Sequence, residues 1–375
     1  MKSVRKIQLH EATAILIMLK IGSILYTELS FIAEGVGNCG WQVILISSIL
    51  AITIFLIAYS MYKLMPEDSI FEACNQNLGP VISKIFMALM IIYLSFYCSV
   101  RLREGVEILD SYEYDITPKY LLTTVILIAS AVSASVGLRG ISGLSIIFIY
   151  PIIIGIASIF ILGYQHYEVN NIFPILGNGF STTLMYGLKR TSLFADIMIV
   201  FILASHIKDK NIVKKAGLSS LLYCGILFAV SSLLYIFAFN YKSAISSLCG
   251  MLAMAKNISM SQYVQRIEGI IILIFGVSLT ISTSILTFVI TELAKGLFEN
   301  GKSKYRDFIY VILITGIVFV LTIYPYSLPK YTHTTLKFVR DYHGYFIFGI
   351  FIFIITLSFA RLRYRLNYKQ IKSIE

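Results

Sequence analysis

Apolar segments of about 20 residues recur along the whole chain, and they constrain its fold more than any other feature. A helix of that length crosses about 30 Å of hydrocarbon, and a soluble core does not need repeated segments of this kind. The chain is 57% hydrophobic and 14% charged, whereas soluble domains are usually about a quarter charged. The sequence therefore predicts an all-α integral membrane protein, and no hydrophilic stretch is long enough to form a soluble domain.

Glycine and proline clusters separate the apolar segments and mark the loops between them. They predict about ten transmembrane helices in a single membrane domain that covers residues 1–375. Ten helices can form two inverted repeats of five, as in many secondary carriers, and the first and sixth spans would then correspond. The predicted spans are residues 9–33, 41–63, 80–103, 119–138, 141–164, 184–206, 214–240, 266–297, 306–328 and 343–362.

The basic residues predict the orientation of the chain. A net charge of +11 could suggest nucleic acid binding, but the Lys and Arg residues occupy short loops rather than one continuous face. They are most frequent in the two termini and in alternate loops, which by the positive-inside rule places both termini in the cytoplasm. In this scheme Arg101 and Arg103, at the end of the third predicted span, count as residues of the outer side. The predicted surroundings are membrane lipid, not nucleic acid.

The sequence contains few of the residue patterns that indicate a catalytic or metal-binding site. The five cysteines are scattered without a CxxC pair, so neither a zinc site nor a disulfide framework is indicated. His10-Glu11 begins like a zincin motif, but Ala14 stands where the second histidine is required. We therefore predict a protein that is not an enzyme and that has no metal site and no cofactor.

Charged residues inside the apolar segments are candidates for function, since each costs about 2.5–3.5 kcal/mol at the bilayer centre. Lys20 lies in the first predicted span and Asp196 in the sixth. If these spans adjoin, the two residues either form an internal structural pair or face a wet cavity. We assign Lys20 to a structural contact and Asp196 to the ligand site.

Gly22 and Ser23 lie in the middle of the first apolar run. Glycine favours unwinding there, and a broken helix exposes backbone N–H groups that can hold a substrate carboxylate. The alternative is a notch of small residues that lets another helix pack closely. On the first interpretation the carboxylate binds at Gly22, Ser23 and Ile24.

Short motifs distributed over nearly the whole chain carry a resemblance to a known family. They are Ile21 to Leu25, Glu34-Gly35, Gly40-Trp41, Phe71 to Ala73, Leu78-Gly79, Arg103 with Glu107, Thr117-Pro118, Asn171 to Gly179, and Gln265 to Glu268. Together they resemble the spore germination permeases, the B-subunits of nutrient germinant receptors within the amino acid–polyamine–organocation superfamily. The chain departs from the family pattern at Ile24, Leu29 and Phe275, where the family has Gly, Pro and Trp.

The resemblance implies a leucine-transporter-like fold in which helices 1 and 6 are broken. It also implies residence in the inner spore membrane, assembly with A-type and C-type receptor subunits, and detection of a small nutrient, typically an amino acid, that triggers germination. Two alternatives remain open: an amino acid transporter that works by alternating access, and a scaffold subunit that senses nothing.

We expect the ligand site to draw on three spans. Its predicted residues are Gly22, Ser23 and Ile24 in the first span, Gly187 and Asp196 in the sixth, and Thr280 and Ser284 in the eighth. Arg103, Glu107, Arg266 and Glu268 are assigned, like Lys20, to structural or partner contacts.

Overall fold

The structure is a computed structural model of the chain. It describes residues 6–25, 27–67, 69–113, 117–177, 179–247, 249–258, 268–298, 304–324 and 328–372. Within these ranges the chain is helical apart from short connections and one isolated parallel bridge between Ile7 and Ile207, and it contains no strand. The prediction of an all-α protein is confirmed.

The described ranges contain fifteen α-helices, which we number in chain order. They are α1 (Leu9–Leu25), α2 (Glu28–Val36), α3 (Gly40–Lys63), α4 (Ile70–Leu78), α5 (Pro80–Glu113), α6 (Lys119–Val136), α7 (Leu138–Leu162), α8 (Phe180–Arg190), α9 (Val200–Leu203), α10 (Lys210–Ala238), α11 (Tyr241–Ser246), α12 (Gly250–Lys256), α13 (Glu268–Phe298), α14 (Lys304–Ile323) and α15 (Leu328–Lys372).

Eight helical stretches in the described ranges are long and apolar enough to cross a membrane. The chain is therefore a multi-pass membrane protein. The first and sixth predicted spans are not among the eight as single helices, because the structure divides each of them into shorter pieces. The single domain of ten spans stays a prediction.

The first span is interrupted, but not at the predicted place. Helix α1 continues through Gly22 and Ser23 to Leu25, and α2 begins at Glu28. The prediction of a break at Gly22 and Ser23 is wrong, because these residues keep their helical hydrogen bonds and Ser23 is buried. At the observed interruption, the backbone N–H and the hydroxyl of Thr27 both donate to Glu104 Oε1, at 3.4 and 2.6 Å. A carboxylate thus satisfies a backbone group that the helix leaves unpaired.

The sixth span is broken as predicted. Helix α8 ends at Arg190, and the next nine residues, Thr191–Ile199, form a 3₁₀ helix that is buried throughout. Such a stretch inside a longer helix is tighter than an α-helix and often marks a functional hinge. It contains Asp196, and we call it the 3₁₀ segment.

Two helices extend far beyond the apolar runs that predicted them. Helix α5 reaches Glu113 and α15 begins at Leu328. Arg101 and Arg103, which the orientation scheme counts on the outer side, lie inside α5 and are buried. The helix continues past these charges because they find partners inside the bundle.

The connection before α8 is bound to the start of α3. Asn38 Nδ2 donates to the Phe173 carbonyl at 2.8 Å, and Gln42 Nε2 donates to the Ile175 carbonyl at 3.0 Å. Gly177 has a φ of +46°, and an added Cβ would lie 2.7 Å from the Val36 carbonyl oxygen. The motif from Asn171 to Gly179 thus positions the sixth span; its Asn178 lies outside the described residues.

Candidate functional site

A polar cavity lies where α1, α2, α5, α8, the 3₁₀ segment and α15 meet. Its volume is about 40 Å³. The lining residues are Lys20, Ser23, Glu28, Tyr97, Val100, Arg101, Glu104, Arg190, Ser192, Leu193, Leu336, Val339, Arg340 and His343. Both interrupted spans therefore contribute to it.

A buried group that we call the Asp196 cluster lies at one side of the cavity; it consists of Lys20, Tyr97, Arg101, Asp196 and His343. Asp196 has no exposed surface. Its Oδ2 lies 2.5 Å from Lys20 Nζ and accepts from the Tyr97 hydroxyl at 2.9 Å, and its Oδ1 lies 2.6 Å from His343 Nε2. Because a lone buried carboxylate would cost several kcal/mol, these partners are what stabilise Asp196 at this place.

Lys20 joins the first span to the 3₁₀ segment. Besides pairing with Asp196, its ammonium group donates to the backbone carbonyl oxygen of Leu193. Lys20 and Asp196 were predicted either to pair or to face a wet cavity. The structure shows the pair, and Lys20 also lines the cavity.

Arg101 connects this cluster to α1. Its Nη1 donates to the Ser23 hydroxyl and to the Tyr97 hydroxyl, both at 3.0 Å. The ion pair between Arg101 Nη1 and Asp196 Oδ2 is long, at 3.9 Å. The same guanidinium nitrogen thus donates to two hydroxyl groups.

A second group, which we call the Arg340 cluster, consists of Glu28, Glu104, Arg190, Arg340 and Asp341. Arg340 bridges two carboxylates: its Nη2 lies 2.6 Å from Glu104 Oε1 and its Nε lies 3.2 Å from Glu28 Oε1. Arg190 pairs with Glu28 and lies 3.9 Å from Asp341. The cluster ties α2, α5, α8 and α15 together on the α2 side of the interruption in the first span.

The cavity carries more positive than negative side chains. Four cations, Lys20, Arg101, Arg190 and Arg340, line it together with two carboxylates. Guanidinium groups present paired N–H donors that match a carboxylate. The arrangement suits a small ligand that carries a carboxylate, and it offers glutamate oxygens to a ligand ammonium group.

The predicted ligand residues are distributed over more than one place. Ser23 lines the cavity, and Asp196 contacts three of the lining side chains. Gly22 is buried within α1. Gly187 packs against α3 instead: its carbonyl accepts from the Ser47 hydroxyl at 2.8 Å.

The two predicted residues of the eighth span lie at a different contact. The Thr280 carbonyl on α13 accepts from the hydroxyl of Ser130 on α6 at 3.1 Å and from the hydroxyl of Ser284 at 2.7 Å. Thr280 and Ser284 do not line this cavity. Their assignment to a ligand site stays a prediction.

Among the residues assigned to structural contacts, Arg103 joins two helices. Its Nε lies 2.8 Å from Glu107 Oε1, and its Nη1 donates to the Thr322 carbonyl of α14 at 2.7 Å. Arg266 and the side chains of Ile24 and Glu268 lie outside the described part of the structure.

Several site residues were missed in the sequence. Tyr97, Arg101 and Glu104 follow one another at positions i, i+4 and i+7 of α5, so they share one face of the helix. That spacing is a signal that could have found them. Arg340 lies just before the tenth predicted span and His343 is its first residue, so neither was considered as a charge inside a span.

Among the described residues, no group of three His, Cys, Asp or Glu side chains is placed to hold a metal ion.

The fold and the cavity define a permease-type helical membrane protein. The profile of the spore germination protein family matches residues 6–331, and the chain belongs to this family. It is 21% identical over 267 residues to spore germination protein KB of Bacillus subtilis (strain 168), which covers 70% of this chain and 71% of that protein. It is 23% identical over 290 residues to spore germination protein YndE of the same organism, which covers 76% of this chain and 78% of that protein.

Among solved structures, the chain is similar to a Na⁺-coupled sialic acid symporter in its substrate-bound outward-open state. The TM-score is 0.68 at 13% sequence identity, and the match covers 94% of this chain and 79% of the symporter. The predicted leucine-transporter-like fold is confirmed. At this identity the likeness concerns the fold alone.

Proposed function

We propose that this chain is the B-subunit of a nutrient germinant receptor that binds a small amino acid. The observation that carries the proposal is the buried cavity between the two interrupted spans, which presents both arginines and glutamates. An amino acid zwitterion needs both kinds of partner within a few ångströms. Membership of the spore germination protein family supports the link between binding and germination.

The ligand carboxylate binds at Arg101 and Ser23. Arg101 Nη1 already donates to a hydroxyl group there, at 3.0 Å, and its ion pair with Asp196 is long. A carboxylate that replaces the Ser23 oxygen at the guanidinium group gains a charge-assisted hydrogen bond, which is about twice as strong as a neutral one. The short side chain of the ligand then faces the apolar residues Val100, Leu336 and Val339.

The ligand ammonium group competes with Arg340 for Glu104. Arg340 lies on α15, whose described part extends from Leu328 to Lys372. If both termini are cytoplasmic, the Arg340 cluster closes the outer end of the cavity. A ligand that binds one state better than the other shifts the equilibrium between closed and open clusters. The movement of α15 would then be read by A-type and C-type partner subunits in the inner spore membrane.

A thermal-shift panel tests binding directly. The purified full-length protein in detergent is melted with each of the twenty amino acids. A ligand that binds only the folded state at a hundred times its Kd should stabilise it by about 2.7 kcal/mol. A panel without any shift contradicts the proposal and favours a scaffold subunit.

A transporter is the second candidate, because two interrupted helices facing a central cavity are also the architecture of alternating access. Uptake of labelled amino acid into proteoliposomes separates the two functions. Sustained concentrative uptake supports the transporter, and binding without turnover supports the receptor.

Replacing Arg101 with Gln is expected to weaken amino acid binding about 10- to 100-fold. A hydrogen bond to a charged group contributes about 1.5–3 kcal/mol, and each 1.4 kcal/mol is a factor of ten in Kd. Arg139→Gln is the matched control, since Arg139 is exposed. Thermal-shift titrations of both variants measure the effect, and an unchanged Kd in Arg101→Gln would place the carboxylate elsewhere.

A further inference from the structure

We infer that Tyr97 is a positioning residue of the ligand site, which holds the Arg101 guanidinium in place by connecting it to Asp196. The inference rests on the proposed function for the role of Arg101, but the position of Arg101 can be measured without any ligand. Asp196 would then act on the ligand site indirectly, through its hydrogen bond with Tyr97, and would not contact the ligand.

The direction of the hydrogen bonds at Tyr97 is determined by its neighbours. A carboxylate only accepts and a guanidinium only donates, while a phenol has one hydrogen to give. The Tyr97 hydroxyl must therefore donate to Asp196 Oδ2, at 2.9 Å, and accept from Arg101 Nη1, at 3.0 Å. The Tyr97 hydroxyl can therefore bridge the two groups in only one arrangement of donor and acceptor.

Both ends of this bridge are restrained. Tyr97 and Arg101 are one turn apart on α5, so their side chains lie on the same face of the helix. The Tyr97 ring stacks on His343, with ring centroids 4.0 Å apart and an angle of 13° between the planes. Asp196 is held in turn by Lys20 and His343. The phenol therefore has little freedom to move away from the guanidinium.

Without the Tyr97 hydroxyl, Arg101 would lose the bridge that connects it to Asp196. Its direct ion pair with Asp196 is 3.9 Å long, and its 3.0 Å hydrogen bond to Ser23 is with a neutral hydroxyl. We expect the guanidinium to leave Ser23 when the Tyr97 hydroxyl is removed. The site would then lose the geometry that matches a carboxylate.

Tyr93 provides a matched control. It lies one turn before Tyr97 on α5, its ring also stacks near His343, and its hydroxyl lies 2.8 Å from His343 Nδ1. Its described hydrogen bond is to the histidine and not to the arginine. Tyr93→Phe thus removes a hydroxyl from the same polar network while leaving the contacts of Arg101 intact.

The first measurement needs no ligand. Cryo-EM structures of the purified full-length variants report the distance between Arg101 Nη1 and Ser23 Oγ. We expect this contact to be lost in Tyr97→Phe and retained in Tyr93→Phe. An Arg101 that keeps its place in Tyr97→Phe overturns the inference.

The second measurement uses L-alanine and L-alaninamide, which differ in the carboxylate. Tyr97→Phe should weaken the binding of L-alanine about tenfold, as expected for one hydrogen bond, and should leave L-alaninamide unchanged. In the Arg101→Gln background Tyr97→Phe should have no further effect, because the two residues act as one unit. Additive losses, or an equal loss in Tyr93→Phe, would show a merely structural role. If no amino acid binds the wild-type chain, the proposed function fails, and the Arg101 position still decides this inference.

Discussion

Replacing Asp196 with Asn is expected to destabilise the purified protein by about 3–5 kcal/mol, the cost of removing one partner from a buried ion pair. Lys20 would lose its carboxylate partner at a site where its side chain is 6% exposed, and His343 and Tyr97 would lose their common acceptor. Thermal unfolding in detergent, followed without ligand, measures the loss.

Asp307→Asn is the control for this change. Asp307 also pairs with a lysine, Lys295, at 3.2 Å, but its side chain is 45% exposed. Exposed ion pairs contribute about 0–1 kcal/mol to stability. The melting temperature of Asp307→Asn should therefore hardly differ from that of the wild type. The double variant Lys20→Met with Asp196→Asn should recover part of the loss, because it removes the unpaired ammonium. Equal effects of Asp196→Asn and Asp307→Asn would contradict the role of the Asp196 cluster.

Replacing Gly344 with Ala is expected to cost about 1–3 kcal/mol, as overpacking of a tight contact does. An added Cβ would lie 2.3 Å from Ser192 Cα, and a backbone atom cannot turn aside as a side chain can. The clash would push α15 from the 3₁₀ segment and break the 2.7 Å hydrogen bond from the Ser192 hydroxyl to the Arg340 carbonyl. Because Arg340 lines the cavity, ligand affinity should fall with stability.

Gly349→Ala provides the comparison on the same helix. Nothing lies within 4 Å of an added Cβ at Gly349, and alanine is favoured over glycine inside a helix by about 0.5–1 kcal/mol. This variant should melt at the same temperature as the wild type or above it. If the two alanine variants behave alike, α15 does not depend on close contact with the 3₁₀ segment.

Asp196→Asn and Gly344→Ala both test the contact between α15 and the 3₁₀ segment. Asp196 lies within the 3₁₀ segment and holds His343 of α15, whereas Gly344 lets α15 approach the backbone of that segment. The contact between these elements is therefore both electrostatic and steric. A change in the cavity that moves either element must move the other.

Hydropathy was sufficient to predict the class of protein and most of the helices, since crossing a bilayer demands long apolar helices whatever the partners are. The pairing of Lys20 with Asp196 was among the alternatives for the same reason: a charge in hydrocarbon must find a counter-charge. The motif from Asn171 to Gly179 was found by its resemblance to the family pattern, and the structure gives a physical reason for its Gly177: a positive φ and a close backbone approach.

Local pattern was not sufficient for the interruption in the first span. Gly22 and Ser23 are residues of the kind that favour a break in a helix, yet α1 continues through them and ends before Thr27. At the observed break, Glu104 reaches the Thr27 backbone from another helix. The rotation of α5 and α15 about their axes, which brings Arg101, Glu104 and Arg340 into one cavity, is set by contacts between helices distant in sequence. A hydropathy profile describes each segment separately and carries no information about such contacts. Only the tertiary structure decides which charged side chains meet.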